Sequence, residues 1–304
     1  RLGFVAGARP LDVTASFGVA RVSDGKRPLP HALAVAEIAC KAAKDRGRNR
    51  VEIFEDTDHS IMRRFTDVTL VGTLREALAL NRFRLDAQPI VALNGAGIGP
   101  KFELLLRMTS EGGKSVAPDK FLSAAERYQL APAIDRWVVH RVLAMLGEHT
   151  ASLVRRRASF AVNISGQSLG DQDFAAFLDC ELRASGIPAE LLTFEVTETA
   201  AVANIVRAEA LIRRLRDLGF GVALDDFGQG LSSLAYLKID GSFVRDAAVD
   251  DRSQAMLNAI VQLARAMGLA TVAECVESER IHAIVRSLGV DLGQGFFLGR
   301  PAPV

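Results

Sequence analysis

From residue 68 onward the chain repeats one unit, a short apolar run of strand character followed by an amphipathic stretch with helical spacing. The runs are Leu85–Leu93, Lys101–Met108, Phe160–Ser165, Leu192–Val196, Val222–Asp226, Lys238–Asp240, Ala270–Val276 and Asp291–Leu298. Helical patterns such as Leu70–Leu80, Ile205–Leu218 and Ser253–Met267 lie before or between them. Strands separated by helices build a parallel sheet with helices on its outside, and eight of them over roughly 235 residues point to a TIM-like (β/α)8 barrel. The first strand must be reversed. Only a short Gly-rich loop joins the first two runs, whereas a parallel crossover needs about a dozen residues or more. A doubly wound open sheet is the alternative, but no Gly-rich phosphate fingerprint follows the first strand.

Residues 1–57 read differently. A strand at Val13–Val22, a helix at Pro30–Lys44 closed by Gly47, and a strand at Arg50–Phe54 make too small a core for an independent domain. This is an incomplete α/β fragment. The polar stretch around 55–67, EDTDHSIMRRFTD, has no sustained periodicity and supplies a linker, 58–67, ahead of a barrel at 68–304. The chain starts with Arg, so we read it as a piece of a longer protein with room upstream for a sensor or membrane region.

Lys+Arg 37 against Asp+Glu 36 gives a formal net charge of +1, so no global field draws the chain to a nucleic-acid polymer. A phosphate-rich ligand would need a local site, and the Arg155–Arg156–Arg157 run reads as a solvated loop. Cys40, Cys180 and Cys275 form no CxxC pair and read as reduced core thiols, which predicts a cytoplasmic setting. No apolar run reaches the roughly 18 residues of a membrane span.

The chemistry is expected where barrels keep it, at the C-terminal ends of the strands. Those ends present Glu103, Asn163, Glu195, Asp225, Asp226, Lys238, Glu274 and Gln294 in otherwise apolar surroundings. Buried carboxylates without partners cost several kcal/mol each, and one lysine cannot neutralise five of them. Divalent cations can. Carboxylate and carboxamide oxygens without His or Cys select Mg2+ or Mn2+ over Zn2+. The adjacent pair Asp225–Asp226 suits two ions, one carboxylate bridging while the next binds the second, and two ions clamp an in-line phosphoryl displacement. The residues alone therefore reach a two-metal phosphoester hydrolase.

The same residues carry a family resemblance. AQPIV (87–91), FELLLR (102–107), VNIS (162–165), EVTET (195–199), LDDFGQGLSS (224–233), KIDGSFV (238–244), AECVE (273–277) and GQGFFLGRP (293–301) resemble, in order, the EAL domain, the bacterial cyclic di-GMP phosphodiesterase. The resemblance implies hydrolysis of cyclic di-GMP to linear pGpG with two Mg2+ or Mn2+ ions, and inhibition by Ca2+. It implies Glu103, Asn163, Glu195, Asp225, Asp226 and Glu274 as metal ligands and Lys238 at the attacking water. Gln294 would support the water and metal shell, Glu198 would brace the loop 227–233, and Gln88 and Arg107 would join Asp226 in holding the substrate. Arg107 reads equally well as the partner of a barrel carboxylate. The family also implies a homodimer. A silent cyclic di-GMP receptor is the competing reading, one that would not need the full set of acids.

VTASFGVA (13–20) and AEIACKAAKDRGRNRVEIF (36–54) resemble the C-terminal third of a GGDEF domain, without its namesake motif, so no cyclase activity is expected. Inside the barrel three departures stand out. The family's Glu-Ala-Leu reads Glu-Leu-Leu. Cys275 replaces a usual Gly. The connection from Asp226 to Lys238 is shorter than the family's, so Lys238 corresponds to either of two family lysines. Phe227–Leu237 is at the lower limit for a crossover.

Overall fold

The structure, a computed structural model, describes residues 2–6, 9–21, 29–45, 47–53, 70–95, 99–110, 113, 115–197, 205–225 and 236–304. The linker expected at 58–67 lies outside these residues. The chain divides into two units, Arg1–Arg75 and Glu76–Val304.

In the first unit, β1 (Leu2–Ala6) and β2 (Arg9–Val13) form an antiparallel hairpin. β3 (Phe17–Val19) pairs in parallel with β4 (Val51–Ile53). The helix Leu29–Asp45 connects them and buries Val35, Ile38, Ala39 and Ala42, a helical i, i+3, i+4, i+7 face. Gly18 makes this packing possible. A Cβ there would stand 2.0 Å from the Ala36 carbonyl oxygen, so only glycine lets strand and helix approach so closely. The single strand expected at Val13–Val22 is thus broken, because the chain turns out of the hairpin before entering β3.

The second unit is a ring. β5 (Phe83–Ala92), β6 (Lys101–Thr109), β8 (Ser159–Ile164), β9 (Leu192–Thr197), β10 (Gly221–Asp225), β11 (Tyr236–Ile239), β12 (Ala270–Ala273) and β13 (Leu292–Gly293) follow one another around it, and the pairing of β5 with β6 closes it. β7 (Ser115–Val116) extends β6, and β14 (Ala302–Pro303) pairs with β5 beyond β13. From β6 to β13 the ring strands are parallel, while β5 is antiparallel to both neighbours. The (β/α)8 architecture with a reversed first strand is therefore correct.

Two strand ends differ from the sequence reading. The run Ala270–Val276 is strand only to Ala273, and Asp291–Leu298 only over Leu292–Gly293. In both places the backbone leaves the ladder to bond across it. Val276 N–H donates to the Gln294 carbonyl at 2.9 Å, and Phe297 N–H to that of Val276 at 3.1 Å.

The outer helices bury apolar stripes on the ring. Asp251–Ala266 starts at Asp250, whose carboxylate accepts from the Arg252 and Ser253 N–H groups, and it buries Leu257, Val261 and Ala264. Glu279–Ser287, capped by Ser278, buries Ile281 and Val285. These join Leu237, Ile239, Val244 and Val276 in one core cluster, each large side chain contributing about 1.5–3 kcal/mol. Inside the ring an apolar layer of Ile90, Ala223, Tyr236, Val272 and Leu292 is its floor.

The cysteines depart from expectation in their burial. All three are free thiols, but Cys40 and Cys275 are half-buried and Cys180 is exposed. Its helix, Gln172–Ser185, buries Phe174, Leu178 and Leu182, and position 180 faces away from that stripe.

Candidate active site

Lys238 is the centre of the site. It is the third residue of β11, its side chain is 1% exposed, and its ammonium lies 2.7 Å from Glu274 Oε1, 3.0 Å from Glu195 Oε2 and 3.2 Å from Glu103 Oε2. β11 runs without interruption through Leu237–Lys238–Ile239, paired to β10 and β12. Placed so, Lys238 is the lysine around which Glu103, Glu195 and Glu274 gather. Residues 226–235 of the connection before it lie outside the described residues.

Around the lysine the polar groups interlock. Asn163 Nδ2 donates to Glu103 Oε1 at 2.7 Å, and Gln294 Nε2 to Glu103 Oε2 at 2.7 Å and to Gln88 Oε1 at 3.1 Å. Gln88 Nε2 in turn donates to the Gly299 carbonyl at 3.2 Å. Gln88 and Glu103 are direct cross-strand partners of β5 and β6, which puts their side chains on one face of the barrel wall. From the floor beneath, Tyr236 donates its hydroxyl to Glu195 Oε1 at 2.6 Å.

The acids respond unequally. Burial alone pushes the Glu103 carboxyl up, but the Lys238 charge and the hydrogen bonds of Gln294 and Asn163 outweigh it and hold the group below its usual range. Glu195 is fully buried, and burial pushes it up to about 7 against the pull of Lys238, with the Glu103 charge adding to the rise. Burial first, and then the Glu195 charge, raises the Tyr236 phenol, which stays a donor.

Among the described residues Glu103, Glu195 and Glu274 gather around the Lys238 ammonium. The nearby Arg107 is committed elsewhere, its Nε bonding buried Asp86 at 3.2 Å beside Arg84 at 3.1 Å. Among the described residues Gln294 Oε1 is buried with no hydrogen-bond partner. Clustered carboxylates and such an amide oxygen fit hard cations. Among the described residues no three acidic, His or Cys side chains stand ready in metal geometry, and Lys238 Nζ lies between the carboxylates that would be needed. Asp225 ends β10 with its backbone paired to Thr197. Asp226, Glu198 and the loop 227–233 lie outside the described residues.

Not all these groups stand at strand ends, as the sequence reading had them. Glu274 and Gln294 directly follow β12 and β13, but Glu103 is the third residue of the nine in β6. Sequence reasoning missed Tyr236 and Asp86. The available signal was strand alternation, since Tyr236 lies two residues before Lys238 and Asp86 two before Gln88, on the same faces.

Residues 71–301 match the EAL domain. The chain belongs to the EAL domain family. This EAL chain is 35% identical over 294 residues to the cyclic di-GMP phosphodiesterase PdeB of Shewanella oneidensis, covering 93% of this chain and 34% of that protein. It is 37% identical over 245 residues to the cyclic di-GMP phosphodiesterase PdeF of Escherichia coli, covering 78% and 32%. It thus spans about a third of the length of these curated relatives. The crystal structure of the FimX EAL domain from Pseudomonas aeruginosa bound to c-di-GMP superimposes with a TM-score of 0.69 at 30% identity, over 77% of this chain and 96% of that one. The PaMucR phosphodiesterase in complex with c-di-GMP gives a TM-score of 0.70 at 31% identity, over 78% and 98%.

Proposed function

We propose that this EAL domain hydrolyses one phosphodiester bond of cyclic di-GMP to give linear pGpG. The observation that carries the reading is the ring of Glu103, Glu195 and Glu274 around buried Lys238, extended by Asn163, Gln294 and Gln88. Substrate identity follows from the relatives named as cyclic di-GMP phosphodiesterases.

Glu103, Asn163, Glu195 and Glu274, joined by Asp225 and Asp226, would hold two Mg2+ or Mn2+ ions, which supply an activated water and a clamp on the phosphoryl oxygens. Ca2+ takes more ligands at longer distances and would inhibit. In this scheme Lys238 steers the water and steadies charge building on the phosphoryl group. Gln294 holds Glu103 and Gln88 in place and Tyr236 pins Glu195 from below, and Glu198 would brace the loop 227–233. Arg107 and Gln88 would help Asp226 hold the substrate.

We further assign residues 1–57 to a partial GGDEF-like fragment and 58–67 to a linker. The domain is expected to work in the cytoplasm as a homodimer. Incubation with cyclic di-GMP and Mn2+, followed by chromatography, tests the activity through the appearance of pGpG. Tight binding of cyclic di-GMP with no product would transfer the chain to the silent-receptor reading.

A further inference from the structure

Three non-contiguous backbone segments meet beside the carboxylate ring, and one residue reconciles them. Glu274 N–H donates to the Ile239 carbonyl on β11 at 3.2 Å, while Val276 N–H donates to the Gln294 carbonyl beyond β13 at 2.9 Å. β11 and β13 flank β12 on opposite sides. In a regular strand the N–H groups of residues i and i+2 point to the same side, so the residue between Glu274 and Val276 has to reverse the chain. That residue is Cys275, with φ 53°, a left-handed conformation uncommon for a side chain larger than glycine's.

The thiol is accommodated by an absence. Gly241 opens the helix Gly241–Asp246, three residues after Lys238. A Cβ on Gly241 would stand 2.3 Å from Cys275 Sγ and 2.8 Å from Cys275 Cβ, closer than real Cβ atoms approach other heavy atoms. The side chain at 275 therefore requires that there be none at 241. The contact also joins two segments that matter for chemistry, one running on from Lys238 and the other from Glu274, whose side chains meet at 2.7 Å.

We propose that Cys275 and Gly241 are a matched pair that sets the Glu274–Lys238 contact. Cys275 is a positioning residue whose thiol, seated on Gly241, fixes the distance between the two segments. The inference rests on the phosphodiesterase reading for its kinetic consequence but on geometry for the pairing itself.

A double-mutant cycle on the whole chain tests it, using Gly241→Ala, Cys275→Gly and the double variant. The readouts are kcat and KM for cyclic di-GMP with Mn2+, Mn2+ affinity by electron paramagnetic resonance titration, and thermal unfolding. Displacing a reacting group by about 1 Å is worth roughly 100-fold in rate, so Gly241→Ala should lower kcat by about that factor and move KM by no more than about threefold. With the thiol removed the alanine methyl has room. The double variant should therefore lie within about threefold of Cys275→Gly alone. An equal loss from Gly241→Ala in both backgrounds would overturn the pairing. A lowered Tm with unchanged kcat would overturn the positioning role. Should the unaltered chain form no pGpG, the phosphodiesterase reading fails by itself, and the pair is then judged on Mn2+ affinity. Gly241→Ala must weaken that affinity with Cys275 present and spare it with Gly at 275, and any other pattern refutes the pair.

Discussion

Replacing Lys238 by methionine keeps most of the side-chain volume and removes its charge. The ammonium is 1% exposed and lies within 3.2 Å of three carboxylates, of which Glu195 is 0% and Glu103 6% exposed. Removing one partner of a buried ion pair typically costs about 3–5 kcal/mol, because the remaining charge is left without compensation. For a unit the size of Glu76–Val304, each kcal/mol moves Tm by about 2–4 °C, so the expected fall is roughly 6–20 °C in metal-free buffer at pH 8.

The loss should depend on pH, with a definite sign. A carboxyl raised on folding binds its proton more tightly in the native state. Its stabilising contribution is complete below the unfolded value, 4.5, and is lost as pH climbs through the native value, about 7 for Glu195. Lys238 pulls Glu195 down and holds Glu103 low, so without it both acids shift upward and more stability is lost by pH 8. At pH 5 Glu195 is already protonated and needs the lysine less. Differential scanning fluorimetry in EDTA at both values should therefore give a clearly smaller Tm difference between wild type and Lys238→Met at pH 5 than at pH 8. Equal drops at the two values would refute the electrostatic account. Turnover of cyclic di-GMP by the variant should fall by about 10²–10⁴-fold.

Tyr236→Phe removes the 2.6 Å donor from Glu195, so stability should fall by about 1–2 kcal/mol in urea titrations, and the acid limb of the pH–rate profile should move up by less than about one unit. An unmoved limb would count against the contact. Arg107→Leu leaves buried Asp86 with only the half-exposed Arg84 among the described residues, so the urea midpoint should drop. An unchanged KM beside that drop would reduce Arg107 to an ion-pair partner, whereas a KM about tenfold higher supports contact with substrate. Excess EDTA should abolish pGpG formation, Mg2+ or Mn2+ should restore it and Ca2+ should not, and Glu103→Gln should be inactive in every case. Full activity in EDTA would end the two-metal reading.

What the sequence determined by itself is the eight strands of the ring, the reversal of the first, and most of the polar groups that the barrel carries. These are local properties. Alternation of apolar runs and helical stripes reports which faces must be buried, and a loop as short as the one between Leu93 and Lys101 leaves an antiparallel pairing as the only connection. Tertiary structure alone decided the height at which each polar group stands. Glu103 pairs in register with Ala161, whereas Asn163, two residues further along β8, pairs with Glu195. Strands in a closed barrel tilt, and the stagger this imposes brings a residue early in one strand level with residues late in the next. Glu103 therefore meets Asn163 and Lys238 in spite of its place near the start of β6. The strain at Cys275 was likewise invisible to local pattern, because it arises where β11, β12 and β13 compete for one turn of backbone. Periodicity along the chain records burial, but convergence of side chains depends on tilt and register between strands, which no single strand encodes.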